Sequence, residues 1–124
     1  MQYMQVQTQE ISLSEKIVII KVGGYLDVVT AEALDRALEA IIKSKCYRII
    51  IDLDEAEYIG SMGWSIFLNK IKELRDHGGD LKLAKMNADV IEVYKLLEFF
   101  WFLKSYSTLE EAVSDFALEV QPMP

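Results

Sequence analysis

Between positions 49 and 74 the chain changes its apolar period, and that change fixes its class of fold. Ile49-Ile50-Ile51-Asp52-Leu53 is a nearly unbroken apolar run with β-branched residues, the pattern of a buried strand. Trp64, Phe67, Ile71 and Leu74 then recur at helical spacing, with Leu68 widening the stripe. Tyr58-Ile59-Gly60-Ser61-Met62-Gly63 joins the two through small residues and one hydroxyl. Ser61 therefore falls at or next to the N-cap of a helix, where its oxygen can accept from an unpaired backbone N–H. A phosphate on that oxygen would sit at the positive end of the helix dipole. On residue chemistry alone, a plain cap and a phosphorylation switch are both open.

The rest of the chain repeats the alternation. Val6 to Leu13 and Ile17 to Val22 are expected to form an antiparallel hairpin across the polar Ser14-Glu15-Lys16. Gly23 and Gly24 interrupt the pattern. Thr30 is the expected N-cap of a helix whose inner face uses Leu34, Ala37, Leu38, Ile41 and Ile42. Glu32 and Asp35 at its start, and Lys43 and Lys45 at its end, suit its dipole. Tyr47 to Leu53 is the next strand, and His77-Gly78-Gly79 closes the second helix. Leu81 and Leu83 alternate with charged residues, so that strand should have one wetter face. Asn87 caps a third helix running to Leu97, a strand follows around Phe102 to Tyr106, and Ser107 or Thr108 caps a last helix to Leu118. Strands alternating with about four helices imply an α/β domain with a mixed, mostly parallel sheet. One domain over residues 1–120 accounts for the pattern, with Gln121-Pro122-Met123-Pro124 as a flexible tail.

Composition narrows the function. A hydrophobic content of 52% over 124 residues is enough for one real core. The formal charge of −7 argues against nucleic acid as a ligand, because phosphate binding relies on Lys and Arg. Neither a membrane-spanning run nor a signal peptide is expected, which favours a cytoplasmic protein. Cys46 has no partner for an internal disulfide or a zinc motif. The acidic residues Asp52, Asp54, Glu55 and Glu57 read as solvated charge rather than a metal cluster. His77 sits at the far end of the helix that Ser61 opens. At 1.5 Å per residue the two are on the order of 20 Å apart, too far for a catalytic pair. No cofactor, metal or catalytic residue is expected.

Two strings in this order resemble a known family. Gly24-Tyr25-Leu26-Asp27 with Thr30-Ala31 is similar to the G-x-L-D…T/A element of STAS domains, the anti-sigma factor antagonists. Ile51-Asp52-Leu53 with Tyr58-Ile59-Gly60-Ser61-Met62-Gly63 resembles their D-L-S…D-S-x-G signature. The Gly78-Gly79 turn and Leu109-Glu110-Glu111-Ala112-Val113 fit as well, so the resemblance covers nearly the whole chain. It implies a non-enzymatic regulator of transcription that works by partner switching. Ser61 would be phosphorylated by an anti-sigma factor that is itself a serine kinase, and a serine phosphatase would reset it. Asp27, Gly60, Ser61, Met62 and Gly63 would form the partner surface. Two positions depart from the family pattern: Gly60 stands where Asp is usual, and Met62 where Ser, Thr or Ala is common. The alternative reading is a STAS interaction or small-ligand module that is not phosphorylated.

Two aromatic features call for separate readings. Trp64 lies on the helix stripe and is expected in the core. In Phe99-Phe100-Trp101-Phe102-Leu103 a covered core edge is slightly favoured over an exposed aromatic, which would suggest a partner contact or a homodimer contact through Phe99 to Phe102.

Overall fold

A computed structural model describes residues 3–11 and 15–120. The first two strands, β1 (Tyr3–Glu10) and β2 (Lys16–Leu26), lead into helix α1 (Val28–Lys43). Strands β3 (Arg48–Asp52) and β4 (Ala56–Ile59) follow, then α2 (Ser61–Asp76) and β5 (Asp80–Ala84). The chain ends with α3 (Ala88–Leu96), a 3-10 turn (Phe99–Trp101), β6 (Ser105–Tyr106) and α4 (Leu109–Val120). Ser12, Leu13 and Ser14, expected in the hairpin, and the expected tail 121–124 lie outside the described residues.

The sheet runs β1-β2-β3-β5-β6. β1 and β2 are antiparallel, and every other pairing is parallel. This is the mixed, mostly parallel sheet with four α-helices that the alternation implies. Residues of period two split between its faces. Val18, Ile20, Ile49 and Ile51 face the large core under α1, α2 and α3, while Ile17, Ile19 and Ile50 face α4 through Ala112 and Phe116. A strand buried on both faces must be apolar throughout, which is why Ile49-Ile50-Ile51 has no polar alternation.

Several local expectations are corrected. Gly23 and Gly24 do not end β2, which continues to Leu26. Gly24 instead takes φ +81°, a conformation open to glycine, and the register against β4 shifts there. Asp54 and Glu55 form a short turn between β3 and β4, a strand that the apolar pattern did not reveal. β3 pairs with Val18 to Lys21, and β4 resumes along the same strand at Gly24 to Leu26. Asp52, expected as solvated charge, is instead buried at the end of β3, where its carboxylate accepts from the Asp54 N–H at 3.0 Å. β5 has no wet face, because all five residues are buried, Lys82 included. The strand expected over Phe102 to Tyr106 shrinks to Ser105–Tyr106, since the preceding residues coil into the 3-10 turn. Thr108 caps α4: its Oγ1 accepts from the Glu111 N–H at 3.1 Å.

Candidate functional site

The site is built by two strands that finish together. Leu26 pairs with Ile59, and the Gly60 N–H donates to the Leu26 carbonyl at 2.9 Å. Because both parallel strands stop at this rung, α1 and α2 begin side by side at one end of the sheet. Asp27 and Gly60 are their respective N-caps.

The two caps differ in chemistry. The Asp27 carboxylate accepts from the N–H groups of Val29 at 3.1 Å and Thr30 at 3.3 Å. Thr30 Oγ1 accepts from the Asp27 N–H at 2.8 Å and donates to the Tyr25 carbonyl at 2.7 Å. This reciprocal box places the helix start three residues before Thr30, the expected cap, and explains why the Val28-Val29 pair is helical. Asp27 thus supports the start of α1 and stands beside Ser61's helix.

Gly60 has no side chain to offer, and no side chain caps α2. The first backbone bond of the helix is Trp64 N–H to the Gly60 carbonyl at 3.2 Å, so the amides of Ser61, Met62 and Gly63 form its open end. Ser61 is the first helical residue, next to the cap position rather than in it. Its hydroxyl is exposed and has no hydrogen-bond partner among the described residues. The first turn carries no acidic residue, which leaves the positive end of the dipole uncompensated on its own helix.

Gly63 has a packing role. A Cβ there would lie 2.7 Å from Leu26 Cδ2 and 2.9 Å from Ile59 Cγ2, so a hydrogen lets α2 approach both strands. Gly60 is different. A Cβ there would meet the Leu26 carbonyl at 3.4 Å and the Tyr58 ring at 3.7 Å, ordinary contact distances.

Apolar side chains crowd the elements around the hydroxyl. Tyr25, Val28, Val29, Tyr58 and Met62 are all exposed, and Tyr25 and Tyr58 meet edge to face at 6.4 Å. Sequence reasoning singled out only Met62 among these five. Val28 and Val29 carried a signal, being β-branched residues at a helix start with no place in the apolar stripe. Among the described residues no group of three or more His, Cys, Asp or Glu side chains is positioned to hold a metal. His77, at the other end of α2, stacks on Tyr47 with centroids 4.2 Å apart and is turned to the Glu73 carbonyl. Trp64 is in the core as expected, stacked on Phe99 at 4.7 Å. The aromatic run beyond it is not a covered edge: Phe100, Trp101 and Phe102 are exposed, while Leu103 is fully buried.

Residues 8–112 match the family model of the STAS domain. This chain belongs to the STAS domain family. Curated relatives of the STAS protein include a candidate anti-sigma factor antagonist, BtrV of Bordetella bronchiseptica. It is 29% identical over 93 residues, covering 75% of this chain and 80% of the relative. Among solved structures, a candidate anti-sigma factor antagonist from Thermotoga maritima has a TM-score of 0.80 at 20% identity, covering 90% of this chain and 92% of the other. The anti-sigma factor antagonist SpoIIAA in its unphosphorylated form has a TM-score of 0.67 at 19% identity, covering 92% and 98%. Its phosphorylated form, from Bacillus, has a TM-score of 0.66 at 19% identity, covering 90% and 99%. At such identities the structural likeness shows the STAS fold, with its hairpin and its parallel strands.

Proposed function

We propose that this STAS protein is an anti-sigma factor antagonist whose binding surface surrounds Ser61 and is switched by phosphorylation of that serine. The observation that carries the reading is the exposed Ser61 hydroxyl at the uncapped start of α2, among the exposed Tyr25, Val28, Val29, Tyr58 and Met62. Apolar residues of this size, exposed together, fit a protein partner better than solvent. The partner is an anti-sigma factor with serine kinase activity. Its transfer step moves the γ-phosphoryl of ATP to Ser61 Oγ, breaking the bond to the β–γ bridging oxygen so that ADP leaves, and the hydroxyl proton goes to a base of the kinase. A serine phosphatase reverses the modification by hydrolysis.

The physics of the switch is local. A phosphoserine adds about −1.5 to −2 charges, and the open amides of α2 tolerate them in the free protein. In a complex the same charge would face an apolar interface, where an unpaired charge costs several kcal/mol. About 1.4 kcal/mol already changes affinity tenfold, so no change of fold is needed. The reading involves binding alone, with no chemistry performed by the STAS protein itself.

The test is incubation with the host's candidate anti-sigma kinase and ATP, followed by intact mass and site mapping. One phosphate on Ser61, loss of binding in Ser61→Asp and retained binding in Ser61→Ala are the expected results. No phosphate on Ser61 would overturn the switch. A second reading, a small-ligand module, is favoured by a cavity of about 260 Å³ beside α1, lined by Tyr3, Met4, Val22, Leu26, Thr30, Ala33 and Leu34. A ligand retained in native mass spectra of the purified protein would support it.

A further inference from the structure

A second run of exposed apolar residues lies after α3. Leu96 is 77% exposed and Trp101 73%, and Leu97, Phe100 and Phe102 are exposed beside them. Aromatic side chains present roughly 150–250 Å² each, so these five residues leave on the order of 500 Å² of apolar side chain in water. Soluble monomers rarely carry more than a few hundred Å² in one patch without a use for it.

The patch is held rigid. Glu98 turns the chain with φ +57°, and Phe102 and Leu103 donate their N–H groups to the Phe99 carbonyl at 2.9 and 2.8 Å. Arg75 Nη2 donates to the Phe102 carbonyl at 2.6 Å, and the Tyr94 hydroxyl donates to the Leu103 carbonyl. The Phe99 ring, stacked on Trp64, pins the base of the turn to the core. An interface formed here would order little new chain, which removes a main cost of association.

From this surface we infer that the STAS protein forms a homodimer through the Leu96 to Phe102 turn, on a face separate from the one around Ser61. Size favours a second copy. Homodimer interfaces are about 65% apolar, so an apolar area on the order of 500 Å² fits a face of about 800 Å², the usual share of each partner. Charge favours it too. Lys95 and Lys104 are exposed on the same stretch of chain as Glu92 and Glu98, so the rim holds both signs. A two-fold contact sets each residue type against its counterpart's neighbours, and a rim of mixed sign complements itself. A membrane surface is the poorer occupant, because a formal charge of −7 opposes approach to anionic lipid.

The test is sedimentation equilibrium of the full chain at about 100 µM, where a micromolar dimer is populated. The unmodified chain should have twice the mass of one chain, and Trp101→Glu and Leu97→Glu should each halve it. Met62→Glu, beside Ser61, should leave the dimer intact. Far-UV circular dichroism of each variant should match that of the unmodified chain, since all the replaced side chains are exposed. A monomer at this concentration overturns the inference, as does a dimer that survives both Trp101→Glu and Leu97→Glu. Dissociation by Met62→Glu moves the interface to the Ser61 face and overturns it as well. Co-sedimentation of a monomer with phosphatidylglycerol vesicles would assign the patch to a membrane instead. None of these outcomes depends on whether Ser61 is phosphorylated.

Discussion

Within four residues, from Gly60 to Gly63, two glycines serve different ends. Gly60 contributes nothing to the helix start beyond its backbone, and a Cβ there would meet its neighbours at ordinary contact distances. Gly60→Asp should therefore add a capping bond and raise stability by a few tenths of a kcal/mol, read as a small rise in the urea midpoint. Gly63→Ala should lower stability by about 1–3 kcal/mol, because Leu26 and Ile59 must move to admit the methyl group. A loss below about 0.5 kcal/mol in urea unfolding would contradict that close approach. The turn itself was legible in the sequence, since small residues between a strand period and a helix period leave few other structures. The helix start at Asp27 was not. Thr30 is as good a cap as Asp27 on residue type, and only the reciprocal bonds across Asp27 and Thr30 decide between them.

At the scale of elements, two lysines clamp helices. Lys82 of β5 is fully buried and pairs with Asp115 at 2.8 Å and Glu119 at 2.7 Å on α4, with the Phe116 ring 4.1 Å away. Lys70 of α2 pairs with Asp35 at 3.1 Å and with Glu39 on α1. Each clamp uses two carboxylates four residues apart on one helix face. Lys82, and behind it the Tyr106 hydroxyl, hold the Asp115 carboxyl below its ordinary pKa. Burial first, and then Asp115, push the Tyr106 phenol far above its own ordinary value. Burial works to lower the Lys70 pKa, but Glu39 and Asp35 together hold it above the ordinary value.

The signs then follow. Asp115, depressed in the folded state, contributes stability above the unfolded carboxylate value near pH 4, and that contribution is lost as pH falls further. Lys70, raised in the folded state, contributes below the unfolded lysine value near pH 10 and loses the contribution above it. Asp115→Asn should therefore flatten the acid limb of stability against pH. An unchanged limb would contradict the clamp. Asp115→Ala should cost about 2 kcal/mol in urea unfolding, less than a fully broken buried pair because Glu119 remains. The spacing of Asp115 and Glu119 was visible in the sequence. What hid the clamp was Lys82 itself, which in a strand of alternating charge reads as a solvent face until α4 covers it.

Across the whole molecule, the order of strands and helices was readable because each β-α step carries its own change of period. β4 was missed, since Ala56 and Ile59 are buried while Glu57 and Tyr58 between them are exposed, a pattern without period two. That strand matters most for the geometry of the candidate site, because its last residue brings Ser61's helix beside Asp27. The aromatic run was conspicuous in the sequence, but its exposure depends on the 3-10 turn and on Arg75 reaching it from α2. The molecule thus carries two apolar surfaces, one around Ser61 and one at the turn after α3. The central claim concerns the first. Its most direct test is the dissociation constant of the anti-sigma partner for the unmodified protein and for the protein phosphorylated on Ser61, with matching circular dichroism of the two forms. The account predicts at least about a tenfold weaker complex after phosphorylation. Equal affinity of the two forms would contradict it.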